Sequence, residues 1–183
     1  MPGLYLVAVV ALLCSVRAYN IQTFNYTQKI DHFSHSLETN EYKQRYFTID
    51  DFFAPDGPVF LYICGEYTCS INMDRLFPVQ LASQHAALFI ALEHRYYGTS
   101  QPFADWSLDN LGYLQVNQAL ADIAHFIQAK NEELGDRKWV IIGCSYPGAL
   151  SAWFRYKYPH MSVGAISSSG VVNAVYNFTA FDA

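Results

Sequence analysis

Four short apolar runs constrain this chain more than any other feature. They are residues 59–64 (VFLYIC), 87–92 (ALFIAL), 139–144 (WVIIGC) and 163–167 (VGAIS). None alternates apolar with polar. A strand with one face in water must alternate, so uninterrupted runs of this length suit strands buried on both faces of a parallel sheet. Helical patterns lie between them. Val116, Leu120, Ile123 and Ile127 recur at spacings of three and four. That spacing predicts a helix over 116–134 with one apolar face, stopped by Gly135. Shorter helices are expected over 76–85 and over 149–158, the latter ended by Pro159. Strand and helix therefore alternate, and the class is α/β with a mainly parallel sheet.

The region before the first run reads differently. Residues 28–33 and 41–49 are rich in aromatic and β-branched side chains, and the Pro55-Asp56-Gly57-Pro58 segment is a turn. These predict extended strands that pair antiparallel at one edge of the sheet. With 183 residues, the chain is sized for about one domain. It carries 11 basic and 16 acidic side chains, a net charge of −5, so no basic field favours nucleic acid as a partner.

Residues 4–14 (LYLVAVVALLC) form an apolar run followed by Val16-Arg17-Ala18. This pattern predicts a secretory signal over residues 1–18, cleaved near Ala18, with the folded part over residues 19–183. Eleven residues are too few to cross a bilayer, which takes about 20. No membrane span is expected after cleavage. Secretion affects how the cysteines are read. Cys14 leaves with the signal, while Cys64 and Cys69 are close enough in sequence to bridge. Cys144, inside an apolar run, is expected to be a buried free thiol. The cysteines offer too few ligands for a metal site, and no cofactor is expected. Asn25-Tyr26-Thr27 and Asn177-Phe178-Thr179 are N-glycosylation sequons, making Asn25 and Asn177 candidate glycan sites.

The third apolar run ends in Gly143-Cys144-Ser145-Tyr146-Pro147-Gly148 and leads into a helical segment. A strand, a tight turn with Ser at its apex and a helix form the context of a nucleophile elbow. The turn lifts the hydroxyl to the carboxyl edge of the sheet. It also points the helix N-terminus at the reacting centre. The string departs from G-x-S-x-G, because Pro147 stands two residues after Ser145 and Gly148 three after. The bland alternative is a serine that caps a helix. A second dense segment, Glu93-His94-Arg95-Tyr96-Tyr97-Gly98, follows the second run. It could shape a substrate pocket or form a packed, hydrogen-bonded corner.

Several long strings in order carry a resemblance. EHRYYGTSQPF at 93–103, NQALADIAHF at 117–126, GCSYPGALSAWFRYKYPH at 143–160 and SSSGVV at 167–172 resemble the Pro-X carboxypeptidase and dipeptidyl peptidase II family of serine peptidases. VVNAVYNFTAFD at 171–182 is most similar to the thymus-specific serine protease branch. The likeness covers roughly residues 24–183. It implies an α/β-hydrolase fold with a helical insert and peptidase action on proline-containing peptides, by a carboxypeptidase or dipeptidyl peptidase mode. It also implies a lysosomal, vesicular or secreted location. Ser145 corresponds to the nucleophile. Tyr146 N–H, with an N–H from Gly65 or Glu66 after the first run, would form the oxyanion hole. The chain departs from the family at Gln115-Val116, where a helix-capping Ser or Thr is usual, and at Cys64 and Cys69.

A triad of this fold runs Ser, then acid, then His. After Ser145 the sequence holds one histidine, His160, and one aspartate, Asp182, in the wrong order. His160 lies about 20 Å from Ser145 along the intervening helix. His94 is read as a structural histidine. The expectation is therefore the N-terminal portion of such a peptidase, ending before the helical insert and the rest of the triad. Two alternatives are a catalytically inactive secreted product and an esterase or lipase on the same fold.

Overall fold

The computed structural model describes residues 19–35, 40–70 and 76–182. The expected signal over 1–18 lies outside the described residues. One six-stranded sheet organises the chain, in the order β1-β2-β4-β3-β5-β6. β1 (Ile21–Lys29) and β2 (Glu41–Ile49) pair antiparallel, and β2 pairs antiparallel with β4 (Leu88–Leu92). β3 (Val59–Ile63), β4, β5 (Trp139–Cys144) and β6 (Gly164–Ser168) are parallel to one another. Helix α1 (Phe77–Gln84) lies between β3 and β4 in the chain. The short α2 (Leu108–Leu111) and the long α3 (Val116–Leu134) join β4 to β5. Helix α4 (Tyr146–Lys157) joins β5 to β6.

Two apolar layers fill the two faces. On one, Val59, Leu61, Ile63, Trp139 and Ile141 meet Leu120, Ile123, Phe126 and Ile127 of α3 and Leu150 and Phe154 of α4. On the other, Phe60, Phe89, Ala91 and Ile142 meet Val79 and Ala82 of α1. Alternate residues of one strand feed opposite layers, which is why the runs contain no polar positions.

The structure corrects several expectations. The first strand starts at Ile21 and ends at Lys29, so it does not reach Phe33. After it the chain turns toward α3 instead of continuing the sheet. His32 N–H donates to Gln118 Oε1 at 3.0 Å, and the His32 ring bonds Asp122 Oδ1 at 2.8 Å. Val116 opens α3 but is exposed, since the first turn stands with Gln115 and Asn117 clear of the sheet. The final helix begins three residues early, at Tyr146, because Pro147 fits a first turn whose N–H groups need no helical partner. β6 is not buried on both faces. Among the described residues its only strand partner is β5, and Ile166 is 37% exposed. Cys144 is not a buried thiol but an exposed one. As the last residue of β5, it faces an apolar hollow of about 390 Å³ beside α1, lined also by Tyr62, Leu81 and Ile142.

Candidate active site

Ser145 sits between β5 and α4 with φ 63° and ψ −130°. A residue other than glycine held at positive φ costs on the order of 1–3 kcal/mol, so its surroundings must enforce it. Two hydrogen bonds do so. Ser145 N–H donates to Ser168 O at 2.9 Å, and Ala149 N–H donates to Ser145 O at 3.0 Å. The first ties the turn to the end of β6, and the second begins α4. The side chain is exposed. Its position before a twelve-residue helix sets it in the positive end of the helix dipole.

Glycine is obligatory on both sides of this turn. A Cβ on Gly143 would lie 2.0 Å from Pro147 O, and one on Gly148 would lie 2.5 Å from Ser168 O. The G-x-S-x-G spacing is thus met in altered form. Pro147 occupies the buried first turn of α4, and the small residue needed against β6 comes one position later, at Gly148. Gly65 is buried and stands against this turn, with its added Cβ position 3.3 Å from Pro147 Cγ. The loop after β3 and the start of α4 therefore meet beside Ser145. Glu66 is exposed in that loop. Cys64 and Cys69 are joined as a disulfide, with Cα atoms 5.8 Å apart, which closes the loop on itself.

The segment from Glu93 to Gly98 is a packed corner. Glu93 is fully buried. Its carboxylate accepts from Cys69 N–H at 3.0 Å, Ser100 N–H at 3.2 Å, Ser100 Oγ–H at 2.8 Å and the Arg45 guanidinium. It therefore pins the disulfide loop to β2 and to the turn after β4. His94 is 5% exposed. Its Nδ1 lies 2.8 Å from Arg95 O, and a carbonyl only accepts, so Nδ1 carries the proton. Nε2 is then the acceptor for the Tyr146 hydroxyl, at 3.2 Å. Burial holds the His94 imidazole below the ordinary histidine range and thus neutral. Burial, with Glu66 and Tyr97 nearby, pushes the Tyr146 phenol up to about 12. His94 therefore holds the side chain of the residue after Ser145.

Arg95 has the most complete hydrogen bonding in the corner. Its Nε and Nη2 donate to Asp122 Oδ2 and Oδ1, both at 2.7 Å. Nη1 donates to Ile30 O and Tyr113 O, and Nη2 also reaches Lys29 O. Asp122 also accepts from Tyr42 Oη–H at 3.1 Å. Asp122 was missed from sequence. The signal was available, because position 122 lies between Ala119 and Phe126 on the inward side of α3, where an aspartate requires a partner.

Neither His94 nor His160 supplies Ser145 with a base. His94 spends both ring nitrogens elsewhere, and His160 is exposed beyond the far end of α4. Asp182 lies in a 3-10 turn, Thr179–Asp182. Among the described residues, no three His, Cys, Asp or Glu side chains cluster to hold a metal ion, and no helix is long and apolar enough to cross a membrane.

Residues 28–183 match the family model described as serine carboxypeptidase S28. The chain belongs to this family. Among curated relatives, this S28 chain is 44% identical over 168 residues to the probable serine protease EDA2 of Arabidopsis thaliana, covering 86% of this chain and 34% of that protein. It is 38% identical to the thymus-specific serine protease of Mus musculus, covering 85% and 31% of the two chains. It is 34% identical to the lysosomal Pro-X carboxypeptidase of Homo sapiens, covering 85% and 33%. The S28 chain thus spans about a third of the length of the relatives it matches. Solved structures resemble it in fold. An esterase of Pyrococcus furiosus aligns with TM-score 0.60 at 11% identity, over 85% of this chain and 51% of that one. An α/β hydrolase of Novosphingobium aromaticivorans aligns with TM-score 0.55 at 17% identity, over 81% and 44%. The S28 chain has the α/β-hydrolase fold over these strands.

Proposed function

We propose that this chain carries the nucleophile of a serine peptidase that cleaves proline-containing peptides from one terminus, in the secretory pathway or lysosome. The observation that carries the reading is Ser145, held at positive φ on the turn between β5 and α4 in a chain of the S28 family. Ser145 Oγ attacks the scissile carbonyl. Tyr146 N–H, at the start of α4, and an N–H of Gly65 or Glu66 stabilise the oxyanion. The contact of Gly65 with Pro147 favours this pairing, because it brings both backbones to the same edge. Proline preference is taken from relatives named Pro-X carboxypeptidase. The compartment is supported by their lysosomal label, by the Cys64–Cys69 bridge, and by the exposure of Asn25 and Asn177 as glycan sites.

The test uses protein from its natural source and a fluorophosphonate probe, with the labelled peptide identified by mass spectrometry. Ser145 is the expected site of labelling. Ser145→Ala should lower kcat on prolyl peptides by about 10³-fold or more, since only binding and oxyanion contributions remain. Substrates blocked at the amino or the carboxyl terminus then separate the dipeptidyl peptidase mode from the carboxypeptidase mode. Labelling at another serine, or an Ala variant keeping about a tenth of the activity, refutes the assignment.

A further inference from the structure

We propose that Cys64, Cys69 and Cys144 form a thiol–disulfide exchange site beside the nucleophile turn, in which Cys144 takes Cys64 from Cys69. The β3–β5 register pairs Tyr62 with Ile142. Continued two residues past this last pair, the same register would bring Cys64 opposite Cys144. Cys64 is still held on the sheet, since its N–H donates to Leu92 O at 3.0 Å. Neighbouring strands lie about 4.8 Å apart, inside the span of about 4.4–6.8 Å between Cα atoms that a disulfide bridges. The two side chains share a face. Cys64 packs in the same layer as Ile142, and Cys144 lines the same hollow as Tyr62 and Ile142. Cys144 is an unbonded, exposed thiol, whereas the Cys64–Cys69 bridge is buried. A thiol supplied by the chain itself is therefore better placed to attack that bridge than one from solvent.

The step conserves atoms and electrons. The Cys144 thiolate attacks Cys64 Sγ, the Cys64–Cys69 bond breaks, and Cys69 leaves as a thiolate that takes up the proton Cys144 gave. One thiol and one disulfide enter and one of each leaves, so no outside oxidant is needed. The product ties the end of β3 to the residue preceding Ser145 and opens the loop that Glu93 anchors through Cys69 N–H. The exchange stands whether or not Ser145 is a peptidase nucleophile.

The experiment holds the natural protein at pH 8, where the thiolate fraction is raised. It is then quenched with N-ethylmaleimide, cleaved after Glu66 or Tyr67 to separate Cys64 from Cys69, and mapped without reduction. A Cys64–Cys144 peptide is expected beside the Cys64–Cys69 one. It should vanish in Cys144→Ser. In Cys69→Ala, air oxidation should join Cys64 to Cys144 in most molecules. Detection of the Cys64–Cys69 linkage alone in the wild type, or of Cys144 joined to Cys69 instead, overturns the proposal. So does a Cys69→Ala protein with native circular dichroism in which both remaining thiols alkylate.

Discussion

Asp122→Ala should be among the most destabilising single changes in this chain, and its cost can be worked from the contacts of Arg95. The Arg95 side chain is wholly buried and meets one counter-charge, the Asp122 carboxylate, through two bonds of 2.7 Å. Truncation leaves the guanidinium with the carbonyls of Lys29, Ile30 and Tyr113 but with its charge uncompensated. It also removes the acceptor used by the Tyr42 hydroxyl and the His32 ring. Breaking a buried pair in this way costs about 3–5 kcal/mol. For a domain of this size that lowers Tm by about 6–20 °C. Thermal and urea unfolding followed by circular dichroism would measure it. Arg95→Met with Asp122→Leu should recover most of the loss, because the second change removes the stranded charge along with its partner. A double-mutant cycle closed with the single Arg95→Met and Asp122→Leu variants then gives a coupling of opposite sign to the single losses. If Asp122→Ala costs under about 1 kcal/mol, or if the double variant loses the sum of the two single losses, the reasoning about the buried pair is refuted.

Gly143→Ala would force a methyl group to within 2.0 Å of Pro147 O. We expect Ser145 labelling by a fluorophosphonate to fall at least about tenfold, with Tm lowered as well; unchanged labelling in a folded variant would show that the turn can relax. A pH effect is expected from His94. Burial depresses its folded-state value, so the folded protein binds the proton less readily than the unfolded chain. Its contribution is complete above the ordinary histidine range near 6.5 and is lost as pH falls from there through the folded value. His94→Gln should therefore flatten the decline in Tm between about pH 7 and pH 5; equal slopes in the two proteins would count against the neutral imidazole.

What could be read from sequence followed from burial. β3, β4 and β5 stand at the centre of the sheet and pack on both faces, so their apolar runs announced them. α3 showed its period because Leu120, Ile123 and Ile127 are all buried. Pairing was less legible. Nothing local to Tyr46 says that it opposes Leu92, or that β4 lies between β2 and β3. The same holds for Asp122, whose partner Arg95 lies 27 residues away. Cys144 misled for a related reason. Its run looks uniformly buried, but the last side chain of a parallel strand depends on what lies over the carboxyl edge, and there the chain leaves a hollow. The turn at Ser145 was legible because its constraint is local: a strand, one crowded turn and a helix follow one another directly.

The altered spacing of that turn follows from its neighbours. Proline two residues after Ser145 would be excluded if its N–H were needed, but the first turn of a helix leaves that group without a helical acceptor. Its ring must still fit somewhere, and Gly65 provides the space on the loop after β3. The close contact with β6 then falls to Gly148, which meets Ser168 O, the same carbonyl that holds Ser145 N–H. A side chain at 65 would press on the Tyr67 ring and on Pro147, and the glycine at 148 lets the end of β6 come up against the turn. Ser168 thus links the two sides of the turn, and the strain at Ser145 depends on β6 being in place. Any change that loosens the β5–β6 pairing should release the turn before it unfolds the rest of the sheet.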